Sequence, residues 1–323
     1  MSQLETQPAS AEVGATAEAA PDVADDAVRS QWRLFLRRFL RHRAAVVALI
    51  VLLALYLGVL FAKQVSPYPI NPELNAETLA NSYQPPNAKH WFGTDENGRD
   101  VLTRIIHAGR VSLNVGIFVA LISGVVGVAI GSIAGFFGGI TDQLLMRLTD
   151  LFLLVPSIAI LAMAQQGLQS KEFPVVGQLS STVLIVVILS FLFWMQMARV
   201  VRGLILSLKE KEFVEAARAS GASSFRIITR HILPNIVGPI AVNVTLVVGL
   251  AIVAESTVSF LGFGLRPPAV SWGTMLTGAG STTGTPNAYL IYFPGLALLI
   301  TVLCVNFLGD GLRDAFDPQS GKR

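Results

Sequence analysis

Charge is scarce in this chain: Asp, Glu, Lys and Arg make up only 14% of its 323 residues, while 52% are hydrophobic. Soluble domains carry roughly a quarter of their residues charged, so an ordinary soluble enzyme is excluded and a polytopic membrane protein is indicated. Cysteine is reduced to Cys304, which rules out an intramolecular disulfide and leaves the redox compartment unread. The histidines are His42, His90, His107 and His231, scattered without zinc-protease spacing, and no serine nucleophile elbow is present. A glycine-rich phosphate loop ending in Gly-Lys-Ser or Gly-Lys-Thr is also missing; Gly321-Lys322 lacks the required context. The expectation is a chain with no catalytic residues, no bound metal or cofactor, and no ATP hydrolysis of its own.

Apolar runs, by contrast, are plentiful. A helix crossing the roughly 30 Å hydrocarbon core needs about 20 mostly apolar residues, and stretches near 44–62, 111–136, 148–168, 181–200, 236–262 and 289–309 qualify. The expected fold class is therefore an all-α membrane protein with six transmembrane helices.

Residues 1–28 are rich in Ala, Asp and Glu and carry no Lys or Arg. They read as a disordered acidic tail, and the late first apolar run does not suit a cleaved secretory signal. Arg29, Arg33, Arg37, Arg38, Arg41 and Arg43 then alternate with Trp32, Leu34, Phe35, Phe39 and Leu40. Basic charge beside a spanning run suits membrane lipid at the cytoplasmic interface rather than nucleic acid. The unit boundaries expected are this basic segment with the first span and outer loop (29–110), a core with five spans (111–310) and a cytoplasmic C-terminal tail (311–323).

With the N-terminus inside, residues 63–110 lie outside, broken by Pro67, Pro69, Pro72, Pro85 and Pro86. Asp100 is a candidate N-cap for a short amphipathic helix lying flat on the outer surface, with Val101, Leu102, Ile105 and Ile106 as its apolar stripe. In the second span Ser123, Gly127, Gly131 and Gly135 recur every four residues, a small-residue face on which another helix packs closely in lipid. Gly138 and Gly139 turn the chain at an inner loop, Asp150 is placed to pair with Arg147, and Pro156 predicts a kink.

The most polar internal segment is the loop 201–235. Between Arg199 and Arg230 seven basic residues face three acidic ones, which places this loop inside, in agreement with the N-terminus. Ser207-Leu208-Lys209-Glu210 reads as a capping box opening a helix. Phe213, Ala216, Ala217 and Ser220 then share a face, and Gly221 suits a left-handed C-terminal cap. A second short helix through Phe225, Ile227, Ile228 and Ile232 is expected to stop at Pro234.

Here the residues carry a resemblance. Glu215-Ala216-Ala217, then Gly221, then Ile232-Leu233-Pro234 resembles the cytoplasmic signature of permease subunits of bacterial ABC importers. His231 stands where the general pattern has an aliphatic residue, a departure similar to the peptide-importer branch. His90, Gly93-Thr94-Asp95, Gly98-Arg99-Asp100-Val101, Arg104, Gly109-Arg110 and Ser112-Leu113 resemble the outer segment of C-type dipeptide and oligopeptide permeases. Glu255-Ser256, Ser259-Phe260-Leu261-Gly262, Pro267-Pro268, Ser271-Trp272-Gly273 and Leu308 to Asp314 extend the likeness.

That resemblance implies a type I importer permease fold and a second homologous permease subunit completing the pore. It also implies two partner ATPase domains that use ATP and Mg, and an extracytoplasmic substrate-binding protein. Peptide is the implied cargo, with nickel as the alternative and an ATP-independent channel or transporter, or a membrane scaffold, as the other classes. Phe213, Glu215, Ala216, Ala217, Arg218 and Gly221 are implied to form the ATPase-coupling helix. Glu255, late in the fifth span, is either a pathway residue or a charge hydrogen-bonded to neighbouring backbone and Ser256, since acids in a membrane face protein or a water-filled route.

Overall fold

The computed structural model describes residues 33–70, 76–154, 156, 159–160, 163 and 180–316. Every named element in it is helical. The main helices are α1 (Arg43–Leu60), α2 (Val101–Phe137), α3 (Gly139–Leu153), α4 (Ser181–Leu208), α5 (Glu212–Ala219), α6 (Leu233–Phe260), α7 (Trp272–Ala279) and α8 (Tyr289–Phe316). Five stretches among the described residues are long and apolar enough to span: α1, α2, α4, Ser224–Phe260 and α8. Of the third expected span, 148–168, α3 carries the start, and most of the rest lies outside the described residues, as do the tail 1–28 and the loop 169–180.

α2 begins at Asp100, whose Oδ2 accepts the Thr103 N–H at 2.8 Å. The flat surface helix expected here is not separate: the chain runs unbroken for 37 residues, about 55 Å at 1.5 Å per residue. Nothing between the amphipathic turn and the span interrupts the backbone ladder, so the expected surface helix and the spanning helix are one rod. Gly138 ends it with φ +64°, and α3 starts at the next residue.

Three local expectations are corrected. Ser207 caps no helix; its hydroxyl donates back to the Leu204 carbonyl at 2.7 Å inside α4, the bond Ser makes when its turn is already helical. Asp150 pairs with Arg199 across the α3–α4 contact, so the nearer Arg147 is not its partner. Pro234 does not stop a helix. Ile227–Ile232 widen into a π-helical turn, with the Leu233 N–H reaching the Ile228 carbonyl, and Pro234 sits in the first turn of α6, where its missing N–H costs nothing.

The core is a set of interhelical seams. α2 packs along α4, and α6 packs against both α2 and α8. At one end Val101, Ile105, Ile252, Trp272, Tyr289 and Leu290 form one cluster; at the opposite end Met197, Val201, Ile205, Val214, Ile227, Ile232 and Ile236 form another. Residues 33–41 are helical, with Phe39 buried against Ala45 and Ala315. α8 continues through the boundary expected at 310 to Phe316, whose ring lies 4.5 Å from that of Phe35.

Candidate functional site: the short helix α5 and the buried carboxylate of α6

α5 is an eight-residue helix with Glu212 and Glu215 in its first turn and Arg218 in its last, the charge order that complements the helix dipole. Its C-terminus closes in a Schellman arrangement. The Ala222 N–H reaches the Ala217 carbonyl and the Gly221 N–H the Arg218 carbonyl, both at 3.0 Å. This cap requires a left-handed residue, and Gly221 supplies it at φ +78°.

The inner face of α5 is anchored by Val214, fully buried against Ile205, Ile227, Ile232 and Ile236, with Ala217 partly buried beside it. Phe213, Glu215, Ala216, Arg218 and Gly221 are exposed. The Arg218 guanidinium lies 5.9 Å from the centre of the Phe136 ring near the end of α2, a cation–π distance. The helix therefore presents a small-residue surface with one aromatic ring and charges of both signs, on a seat made by α4 and the π-helical turn. Sequence reasoning singled out the exposed residues and passed over Val214, because its partners lie nine residues before it and thirteen or more after it, outside any single helical period.

Two ion pairs brace the same end. Arg202 donates to both oxygens of Asp142, with the outer contact at 2.6 Å, and Arg199 donates to Asp150. The Arg202 guanidinium beside Asp142 holds its carboxyl below the usual carboxylate range.

The three glycines of this α2 series face α4. A methyl group on Gly127 would lie 2.6 Å from Met197 Cβ, one on Gly131 2.4 Å from the Ala198 carbonyl oxygen, and one on Gly135 3.0 Å from the Arg202 carbonyl oxygen. Ser123 is buried on the same face and donates to the Ala120 carbonyl. Backbone thus meets backbone across this seam.

Glu255, near the C-terminal end of α6, is fully buried. Oε1 accepts from Ser259 at 2.7 Å, and Oε2 accepts from Ser112 on α2 at 3.3 Å and from Ser256 at 3.4 Å. The Ser271 hydroxyl caps α7. Beside this knot a cavity of about 250 Å³ opens between Asp95, Glu96, Arg99 and Arg104 on one side and residues of the 265–279 segment on the other. Asp95 holds the wall: Oδ1 accepts the Asn97 and Arg99 N–H groups at 2.9 Å, and Oδ2 accepts Arg99 Nε at 2.8 Å and Arg104 Nη1. His90 and Asp100, noted in the sequence, meet at 2.9 Å.

Comparison with known proteins adds the family. Residues 127–322 match the model for the binding-protein-dependent transport system inner membrane component, and residues 30–86 that for the N-terminal TM domain of oligopeptide transport permease C. An oligopeptide transport system permease protein OppC of Mycobacterium tuberculosis is 40% identical over 292 residues, covering 90% of this chain and 96% of the relative. The Bacillus subtilis OppC is 36% identical, with 91% of each chain covered. The Bacillus subtilis dipeptide transport system permease protein DppC is 39% identical over 88% of this chain and 84% of its own length. The chain therefore belongs to the binding-protein-dependent transport system inner membrane components, within their oligopeptide permease C branch.

Proposed function

We propose that this chain is a pore-forming subunit of an ATP-driven peptide importer, passing dipeptides or oligopeptides delivered by an extracytoplasmic binding protein into the cell. The observation that carries the reading is α5. It is capped, seated on a fully buried valine and left with its Phe213-Ala216 face uncovered, at the inner end of a helical run, Ser224–Phe260, that is long enough to cross the membrane. An uncovered, rigidly held surface of that kind suits a protein partner with a groove. In the reading proposed here the partners are two ATPase domains, which supply the ATP and Mg chemistry, and a second, homologous permease completes the pore.

The N- and C-termini lie in the cytoplasm of a bacterial inner-membrane protein in this reading. Its support is the excess of Lys and Arg both before α1 and between Arg199 and Arg230. Phe213, Glu215, Ala216, Arg218 and Gly221 form the coupling surface, with Ala217 turned partly toward Val214.

The test is uptake of labelled dipeptides, oligopeptides and nickel in cells lacking the gene, complemented with the wild-type chain. Restored peptide uptake, with ATPase subunits co-purifying, is the expected result. Restoration of nickel uptake alone would overturn the cargo assignment, and uptake without an ATPase partner would overturn the class.

A further inference from the structure

The segment after α6 is tied down through one side chain. Two serines that donate to Glu255 each also accept a backbone N–H from residues 265–272. Ser259 Oγ accepts from Leu265 at 3.4 Å and Ser112 Oγ from Trp272 at 3.3 Å. A hydroxyl has one hydrogen to give and lone pairs to receive, so each serine spends its hydrogen on the carboxylate and its acceptor on the segment. Glu255 therefore sets the direction of both.

Two glycines let the segment lie flush on α6. A methyl on Gly264 would fall 2.0 Å from Ser259 Oγ, and one on Gly273 2.5 Å from Ser256 Cα. Thr277 adds a bond to the Ser259 carbonyl at 2.8 Å, and Trp272 Nε1 reaches the Ile105 carbonyl of α2 at 3.1 Å. The same segment forms one wall of the outer cavity. The helical run that carries Glu255, Ser256 and Ser259 at one end carries Ile227, Ile232 and Ile236 at the other, where Val214 of the docking helix is seated.

We propose that Glu255 is a positioning residue that couples the outer segment 264–282 to the docking helix. Its carboxylate and serines clamp the segment to α2 and α6, so that displacement of α5 is carried along Ser224–Phe260 and moves the outer cavity wall. Glutamine substitutes only in part, because its amide nitrogen would replace one carboxylate oxygen and present hydrogens to a hydroxyl that is itself donating. The proposal rests on the reading of α5 as the ATPase contact but not on the identity of the cargo.

The experiment uses the assembled importer in proteoliposomes, with Cys304→Ser as background and Ser281→Cys as a reporter on the exposed part of the segment. The alkylation rate by a membrane-impermeant thiol reagent is compared between the nucleotide-free and vanadate-trapped states. With Glu255 intact the two rates are expected to differ by about fivefold or more, the range of an ordinary coupling. In Glu255→Gln they are expected to agree within about twofold while nucleotide is still trapped. A merely structural loosening would raise both rates and preserve their ratio, and that result overturns the proposal, as does a background protein whose rates do not differ.

If Glu255→Gln does not assemble, Ser259→Ala and Thr277→Val each remove ties singly. A reduced ratio in both supports the clamp, and a full ratio in both overturns it. Peptide uptake measured on the same vesicles separates the two readings. No uptake with a preserved rate difference would sink the cargo assignment and leave the clamp standing.

Discussion

Replacing Gly131 by alanine should destabilise the protein, although alanine is the better helix former. Position 131 lies within α2, and a methyl there would stand 2.4 Å from the Ala198 carbonyl oxygen and 2.9 Å from Val201 Cβ. The first of these neighbours is backbone and cannot rotate away, so α2 and α4 must separate along the seam. Overpacking of this kind costs about 1–3 kcal/mol, against a helix-propensity gain of about 1 kcal/mol. With backbone as the obstacle the upper half of the range applies, leaving a net loss of about 1–2 kcal/mol.

Gly203 of α4 is the control, since it too is helical and a methyl there meets nothing within 4 Å. Gly203→Ala should gain up to about 1 kcal/mol. At roughly 2–4 °C per kcal/mol, thermal unfolding of the purified chain in one detergent should move down for Gly131→Ala and up, or not at all, for Gly203→Ala. A Gly131→Ala protein as stable as the parent would show that the seam yields without cost, and the argument from close approach would fail.

Gly221→Asn should keep uptake because asparagine visits the left-handed region, whereas Gly221→Val should strain the cap by about 1–2 kcal/mol and leave ATP hydrolysis uncoupled from uptake; equal uptake in both variants would contradict this. Phe213→Ala should weaken ATPase co-purification with little change in thermal stability, while Val214→Ala should lower stability, since only the second side chain is buried; reversed effects would reverse the assignment of faces. Because Arg202 depresses the Asp142 carboxyl, that pair contributes fully at neutral pH, and its contribution is lost as pH falls below the ordinary carboxylate value toward the lowered one. Thermal stability should therefore drop more steeply between about pH 5 and pH 3 in the parent than in Asp142→Asn, and parallel curves would refute the linkage.

What could be read in the sequence was local or periodic. Asp100 announced the start of α2 and Gly221 the end of α5, because a cap acts within three or four residues. The Ser123-to-Gly135 spacing marked a face of α2, although nothing in it named α4 as the neighbour. Asp150 was matched to Arg147 because that arginine is close in sequence, while Arg199, which arrives on another helix, is closer in space. Pro234 was read as a stop because a proline in an α-ladder clashes with the carbonyl four residues back, a rule that no longer holds once the preceding turn is π-helical. The serines around Glu255 come from positions as far apart as Ser112 and Ser259, so only the folded chain brings them together.

The widened turn at Ile227–Ile232 also bears on how this chain tolerates changes in length. A π-helical turn is an α-helix holding one residue too many, and each residue of an α-helix corresponds to about 100° of rotation. Deleting one residue from the turn would let the ladder close in the ordinary way, bring the ring of Pro234 against a carbonyl, and rotate everything before it by about that angle relative to everything after. The docking helix and the outer serines thus share a rotational phase set by a single residue. An insertion or deletion in this turn would leave the docking helix and the outer serines chemically unchanged and still turn the two ends of the helix out of step.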